Sequence, residues 1–248
     1  ENLFSFANRL QRKQREKEYI CSVAAGFIAS FDTVFVDCGT TLYHVTDFLR
    51  TKKNLRVISN SLPLASGLMT CPNVEVSLIG GNLDRDRKAV YGIVAEKNFE
   101  EYRADKAFIG ADGVSLATGL TSYDEREAKI TRLMAEHART VYLLCDASKL
   151  EQDSYVRFAD LSLVNYLITD RECPEEIMEL VDADYRHALV ARRVRGKETR
   201  TEQIEKLETI FKGKVVSGKV RTVEPSLAEG WGKSHLARLR EMNFKQLV

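Results

Sequence analysis

Short, almost wholly apolar runs recur along this chain, each stopping at a cluster of Gly, Asp, Asn, Ser or Thr. Runs at 33–36, 55–58, 74–79, 106–109, 141–144, 166–168 and 187–190 predict strands. Segments of helical periodicity at 8–30, 42–49, 62–69, 125–137 and 174–181 predict helices around and between them. A strand that is apolar at nearly every position must be covered on both faces. A sheet with one wet face would instead alternate apolar and polar residues. Strands of the first kind, alternating with helices, predict an α/β fold: a Rossmann-like, mostly parallel sheet with helices on both faces.

In such open sheets ligands settle beyond the carboxyl ends of the strands. The first end reads Asp37-Cys38-Gly39-Thr40-Thr41. Glycine lets backbone approach an anion and the hydroxyls sit where the next helix begins, which suits a phosphate cradle or a plain helix cap equally well. Ser59-Asn60-Ser61 ends the second strand and reads as sugar-hydroxyl donors or as a cap. Gly80-Gly81 ends the third, most simply as a turn. Gly110-Ala111-Asp112-Gly113 ends the fourth, and Asp146-Ala147-Ser148-Lys149 the fifth. Asp112 there accepts from a polyol or caps a turn, and the Asp146/Lys149 pair faces a pocket or forms a surface ion pair. Five such ends in succession argue for one binding face.

Charge divides the chain. Residues 186–248 hold 15 Lys and Arg against 7 Asp and Glu, a surplus of +8, whereas the preceding 185 residues carry −7. A basic tail on an acidic body suggests an anionic partner, an acidic neighbour or simply a solvated surface. Past Gly196 the strand–helix rhythm stops, so residues 1–195 are expected to form one domain, its first 30 residues a linker and first helix. Residues 196–248 form a basic extension. The five cysteines lie far apart, with no Cys-x-x-Cys pair, and read as reduced thiols of a cytoplasmic protein. The four histidines lack metal-ligand spacing, so neither a metal nor a cofactor is expected. No apolar run approaches the roughly 18 residues of a membrane span.

The order of these motifs resembles the C-terminal sensor domain of the DeoR family of bacterial transcription regulators. The resemblance rests on Ser5-Phe6 with Arg9-Leu10, Asp37 to Thr41, Ser59-Asn60-Ser61-Leu62-Pro63, Gly80-Gly81-Asn82-Leu83 and the run from Arg103 to Gly113. It continues through Gly119-Leu120-Thr121, Glu127-Ala128, Arg132, Met134, Asp146 to Lys149 and Leu167-Ile168-Thr169-Asp170. It spans roughly residues 5–195. It implies a fold akin to ribose-5-phosphate isomerase, a homo-oligomer, a phosphorylated sugar as effector, and control of carbohydrate genes as a repressor released by that effector. By position, Asp37, Gly39, Thr40 and Thr41 would hold the phosphate end. Asn60, Ser61, Gly81, Asp112, Glu127 and Lys149 would line the rest. Asp37→Ala or Thr40→Ala is then expected to weaken effector binding without unfolding the domain.

The chain departs from the family in three places. The family places a winged helix-turn-helix ahead of the segment where this chain starts, so operator DNA is expected to be reached only through a reader absent from it. The family often has basic residues at Asp84 and Asp86 and a Lys at Thr131, whereas here Arg85 and Arg87 lie one position off. The extension beyond 195 has no counterpart. Two other functions compete with the sensor. An isomerase on this scaffold would need a general base in the turn after Gly-Ala-Asp, and Asp112-Gly113-Val114-Ser115 puts Gly and Ser there; the chain is therefore expected not to be an enzyme. A nucleic-acid binder would act through Lys212, Lys214, Lys219, Arg221, Arg238 and Arg240, a field interrupted by Glu224, Glu229 and Glu241.

Overall fold

The computed structural model describes residues 5–170 and the strand 187–190. Ser5 caps the short helix α1 (Phe6–Gln11), its hydroxyl accepting from the Asn8 amide. Lys13 then takes a left-handed conformation (φ 53), which ends one helix and re-aims the chain into α2 (Gln14–Ala24). There follow β1 (Thr33–Val36), α3 (Thr40–Tyr43), α4 (Thr46–Leu49), β2 (Leu55–Ser59), α5 (Leu62–Leu68) and β3 (Val74–Leu78). A hairpin, β4 (Asn82–Asp84) and β5 (Ala89–Tyr91), leads to α6 (Ile93–Glu101) and β6 (Ala104–Ile109). Then come β7 (Gly113–Ser115), β8 (Gly119–Ser122), α7 (Glu125–Glu136), β9 (Ala138–Leu144), β10 (Val156–Ala159), β11 (Tyr166–Thr169) and β12 (His187–Val190).

Seven strands form one sheet in the order β12-β11-β9-β6-β1-β2-β3, and every pairing in it is parallel. The chain builds outward from β1 to β3, then returns to the other side of β1 to place β6. That reversal opens a crevice between the carboxyl ends of β1 and β6. Side chains alternate along each strand, so a single strand feeds two cores. Phe35, Ala107, Ile109, Val141, Leu143 and Leu167 face the cluster containing Phe99, Ile130 and Met134 from α6 and α7. Val34, Val36, Val57, Phe108, Tyr142, Leu144 and Ile168 face the one containing Ile20, Cys21 and Ala24 of α2 with Leu42, Leu49 and Leu64. Each large side chain so buried contributes about 1.5–3 kcal/mol. Phe108, Tyr142 and Tyr166 are register partners on three adjacent strands, and their rings stack 4.8 Å apart at 10° in each pair.

The fold class and the strands of the large sheet match the sequence expectation. The helix expected at 8–30 is broken at Lys13 and ends at Ala24, and the one at 42–49 divides into α3 and α4. The stretch between the strand expected at 106–109 and the helix expected at 125–137, where no element was expected, forms β7 and β8, which join β10 in a separate antiparallel sheet. Gly113 belongs there because a Cβ would lie 2.4 Å from the Gln152 carbonyl oxygen and 2.6 Å from Thr121 Oγ1. The helix expected at 174–181 and the extension 196–248 lie outside the described residues. Among the described residues no helix is long and apolar enough to cross a membrane, and Cys21, Cys38 and Cys71 are free thiols.

Candidate functional site

Asp37 sits where β1 stops, and its buried carboxylate stitches the two strands of the crevice together. Oδ1 accepts from the Cys38 amide (2.7 Å); Oδ2 accepts from the Gly110 amide (3.2 Å) and from Thr131 Oγ1 (3.2 Å). Burial raises its pKa, and these donors oppose the rise. Beyond it the chain turns through Gly39, whose extended backbone (φ −60, ψ 148) opens α3 with no side chain to cap the first turn. Thr40 and Thr41 lie inside that turn rather than capping it. Thr40 Oγ1 instead accepts from Lys17 Nζ (3.0 Å), which also donates to the Arg9 carbonyl (2.5 Å). Burial, then the charge of Lys149, lowers Lys17 to about 8, although Asp146 pulls the other way.

Over this turn lies a narrow cleft, partly open to solvent, with a cavity volume of about 10 Å³. Its floor is Cys38, Gly39 and Thr40; Arg87 and Tyr91 of the β4–β5 hairpin form one wall, Glu127 of α7 another, and Phe6 and Arg9 of α1 close it. The Cys38 thiol and the Tyr91 hydroxyl hydrogen-bond to each other at 3.3 Å. Asp84 Oδ1 accepts from the Arg87 amide (2.9 Å), and this turn sends Arg87 inward. Arg87 Nη1 and Glu127 Oε2 stand 3.1 Å apart, close enough to attract but off the hydrogen-bond axis. Both atoms are buried with no hydrogen-bond partner among the described residues. Burial and the charge of Asp112 push Glu127 up to about 8, against the pull of Arg87. That rise favours the protonated, donor form of Glu127 inside the cleft.

The remaining sequence candidates spread around this centre. Asp112 accepts from Arg9 Nη2 (2.8 Å) and from the Tyr123 amide (3.0 Å). Lys149 Nζ donates to the Ala111 carbonyl (2.6 Å) and lies 3.6 Å from Asp112 Oδ1. Asp146 accepts from Lys13 (2.8 Å). Burial acts to raise Asp146, but its bonds from Lys13 and Ser148 hold it below the ordinary carboxylate range. Thr41 is buried behind the floor, its carbonyl accepting from the Cys21 thiol (2.9 Å). Ser61 caps α5 by accepting from the Leu64 amide (3.4 Å), and Asn60 Nδ2 donates to the Val90 carbonyl (3.0 Å). Gly81, at φ 147, allows its backbone to pass where a Cβ would lie 2.6 Å from the Tyr91 carbonyl oxygen. The structure thus brings Gly39, Thr40 and Glu127 to the cleft and Asp112 and Lys149 to its mouth. Asp37, Thr41, Asn60, Ser61 and Gly81 shape the frame behind it. Phe6, Arg9, Cys38, Arg87 and Tyr91 line the cleft without having been singled out as binding residues.

A sequence profile of the DeoR C terminal sensor domain matches residues 12–171. The regulator IolR of Bacillus subtilis is 32% identical over 174 residues, covering 70% of this chain and 69% of that protein. The repressor GlcR of the same organism is 32% identical over 194 residues, covering 78% and 74%. The glycerol-3-phosphate regulon repressor of Escherichia coli is 30% identical over 177 residues, covering 70% and 69%. Among solved structures, ribose 5-phosphate isomerase A of Neisseria gonorrhoeae aligns with a TM-score of 0.41 at 19% identity over 56% of this chain and 54% of that one.

Proposed function

The chain belongs to the DeoR C-terminal sensor domain family, and from that premise we propose that it binds a phosphorylated sugar at the crevice between β1 and β6. The family is one of sensors of transcription regulators rather than of enzymes. The observation that carries the reading is the pair Arg87 and Glu127, a buried ion pair lining the cleft whose facing atoms make no other hydrogen bond among the described residues. A guanidinium beside a carboxyl biased toward its protonated form is suited to an anion bearing hydroxyls. Gly39 and Thr40 would meet the phosphate end, with Thr41 behind them, and Asp112 and Lys149 would meet hydroxyls at the mouth. Asp37 would act by holding the floor in place, because a carboxylate against a phosphate repels it.

On this reading residues 1–195 are the sensor, residues 196–248 an extension of separate role, and the protein acts as a cytoplasmic homo-oligomer controlling carbohydrate genes. The relatives IolR and GlcR are named HTH-type, and operator DNA would be met through a reader of that kind. Effector binding would shift the subunit arrangement and release the operator. The hairpin β4–β5 and the strands β7 and β8 would carry that shift.

A thermal-shift screen tests the proposal, setting glucose 6-phosphate, fructose 1-phosphate, ribose 5-phosphate and glycerol 3-phosphate each beside its unphosphorylated parent. A ligand at about a hundred times its dissociation constant adds roughly 2.7 kcal/mol of apparent stability. At roughly 2–4 °C per kcal/mol for a chain of this size, the midpoint rises by about 5–10 °C. A shift with an ester and none with its parent supports the sensor. Equal shifts with both, or none across the panel, reject a phosphate-reading pocket. Salt-sensitive binding of nonspecific duplex DNA would then point to the basic extension.

A further inference from the structure

The N-terminal segment is seated on the cleft as if it were one of its walls. Phe6 is buried there, its amide donating to the Asp86 carbonyl (2.8 Å), its ring edge-on to Tyr43 at 5.8 Å and beneath the Lys88 ammonium at 5.7 Å. Arg9 lines the same cleft as Arg87 of the hairpin. One of its nitrogens bonds Asp112, and a guanidinium has five N–H donors in a planar fork. Lys17 ties the end of the segment to the floor through the Arg9 carbonyl and Thr40 Oγ1.

Charge makes this arrangement more than packing. Without the segment, the body offers Arg87 and Lys149 at this place against the carboxylates of Asp112 and Asp146, with Glu127 biased toward its neutral form. That balance gives an anion little reason to enter. The segment adds Arg9, Lys13 and Lys17 and turns the mouth positive. Two guanidiniums lining one cleft form an arrangement suited to bidentate anion binding.

We propose that α1 supplies an effector ligand: Arg9 grips the anionic group together with Arg87, so docking of the N-terminal segment and binding of the effector reinforce each other. This rests on the effector reading above. It makes the segment a part of the sensor that the ligand fastens down, not a plug that the ligand expels.

The test uses the full chain and the panel of esters named above, with inorganic phosphate added. Brief trypsin digestion reads the segment directly, since Arg9, Arg12, Lys13, Arg15 and Lys17 are all cleavage points. The ester that raises the melting midpoint is expected to slow cleavage between residues 9 and 17. Arg9→Gln is expected to weaken that ester by about tenfold or more, the scale of one lost charge-assisted contact. Arg15→Gln, the same charge change at an exposed position on α2, leaves affinity unchanged. Faster cleavage with ester bound, or equal affinity in wild type and Arg9→Gln, overturns this inference and leaves the sensor reading intact. If no ester binds the wild-type chain, the sensor reading falls and takes this inference with it. The digestion needs no variant, so a poorly folded Arg9→Gln does not blunt the test.

Discussion

Replacing Asp37 tests whether the crevice is held together by one side chain. Its carboxylate accepts two backbone amides and one hydroxyl, from Cys38, Gly110 and Thr131. Asparagine keeps a single acceptor oxygen. If that oxygen stays on the Cys38 amide, the new NH₂ faces the Gly110 amide, donor against donor, while Thr131 is free to turn and accept. One buried amide is orphaned, at a cost of about 1–3 kcal/mol. Alanine orphans both amides and costs about 2–6 kcal/mol. At roughly 2–4 °C per kcal/mol, Asp37→Ala should lower the melting midpoint by roughly 4–24 °C. The sequence alone suggested a binding defect without unfolding, whereas this geometry adds a direct loss of stability. The pH dependence has a definite sign. Burial raises the folded-state value above the ordinary 3.8, so Asp37 contributes stability below 3.8 that is lost as pH rises through the folded value. The gap between wild type and Asp37→Asn is therefore widest in acid and narrows as pH rises. Urea denaturation at several pH values measures it. A gap that widens with pH, or an Asp37→Ala loss under about 1 kcal/mol, would refute the staple and its burial argument.

Three further outcomes follow from the packing. Gly113→Ala drives a methyl to 2.4 Å from the Gln152 carbonyl oxygen and should cost about 1–3 kcal/mol, seen as a lower urea midpoint at unchanged slope. Tyr142→Phe removes a buried hydroxyl that has no partner among the described residues; calorimetry should show no loss and up to about 1 kcal/mol of gain. Glu127 rises from 4.5 to about 8 on folding, so its contribution is full below 4.5 and is lost as pH climbs toward 8. Glu127→Gln should flatten that part of the stability–pH curve, whatever the variant's absolute stability, and an unchanged slope would mean that Glu127 stays ionised.

The large sheet was legible because its strands are apolar on both faces, a pattern few other arrangements tolerate. The strand ends were legible for the complementary reason, since Asp37-Cys38-Gly39 and Gly110-Ala111-Asp112 interrupt those runs abruptly. The small strands were not. Gly113-Val114-Ser115 is three residues long, too short for any period to register, and only its cross-strand partners make it a strand. Arg87 was hidden in the run Asp84-Arg85-Asp86-Arg87-Lys88, which has the composition of a solvated turn. Which of those charges points inward is decided by the turn that Asp84 makes, not by composition. Arg9 and Lys17 read as a charged linker because nothing local reveals the left-handed step at Lys13 that folds them back over the strand ends.

The β4–β5 hairpin and the β7–β8–β10 sheet share no backbone ladder with the seven-stranded sheet. The hairpin is instead tied to the turn after β2, through Val90 N to the Asn60 carbonyl and Leu62 N to the Lys88 carbonyl, so the platform keeps its own ladder bonds when rim side chains change. Arg87 and Tyr91 ride on the first of these units, and Tyr123, whose amide holds Asp112, follows the second. If the cleft is the site proposed above, ligand preference would sit on these peripheral units, where exchanging a few exposed rim residues breaks no ladder bond of the main sheet.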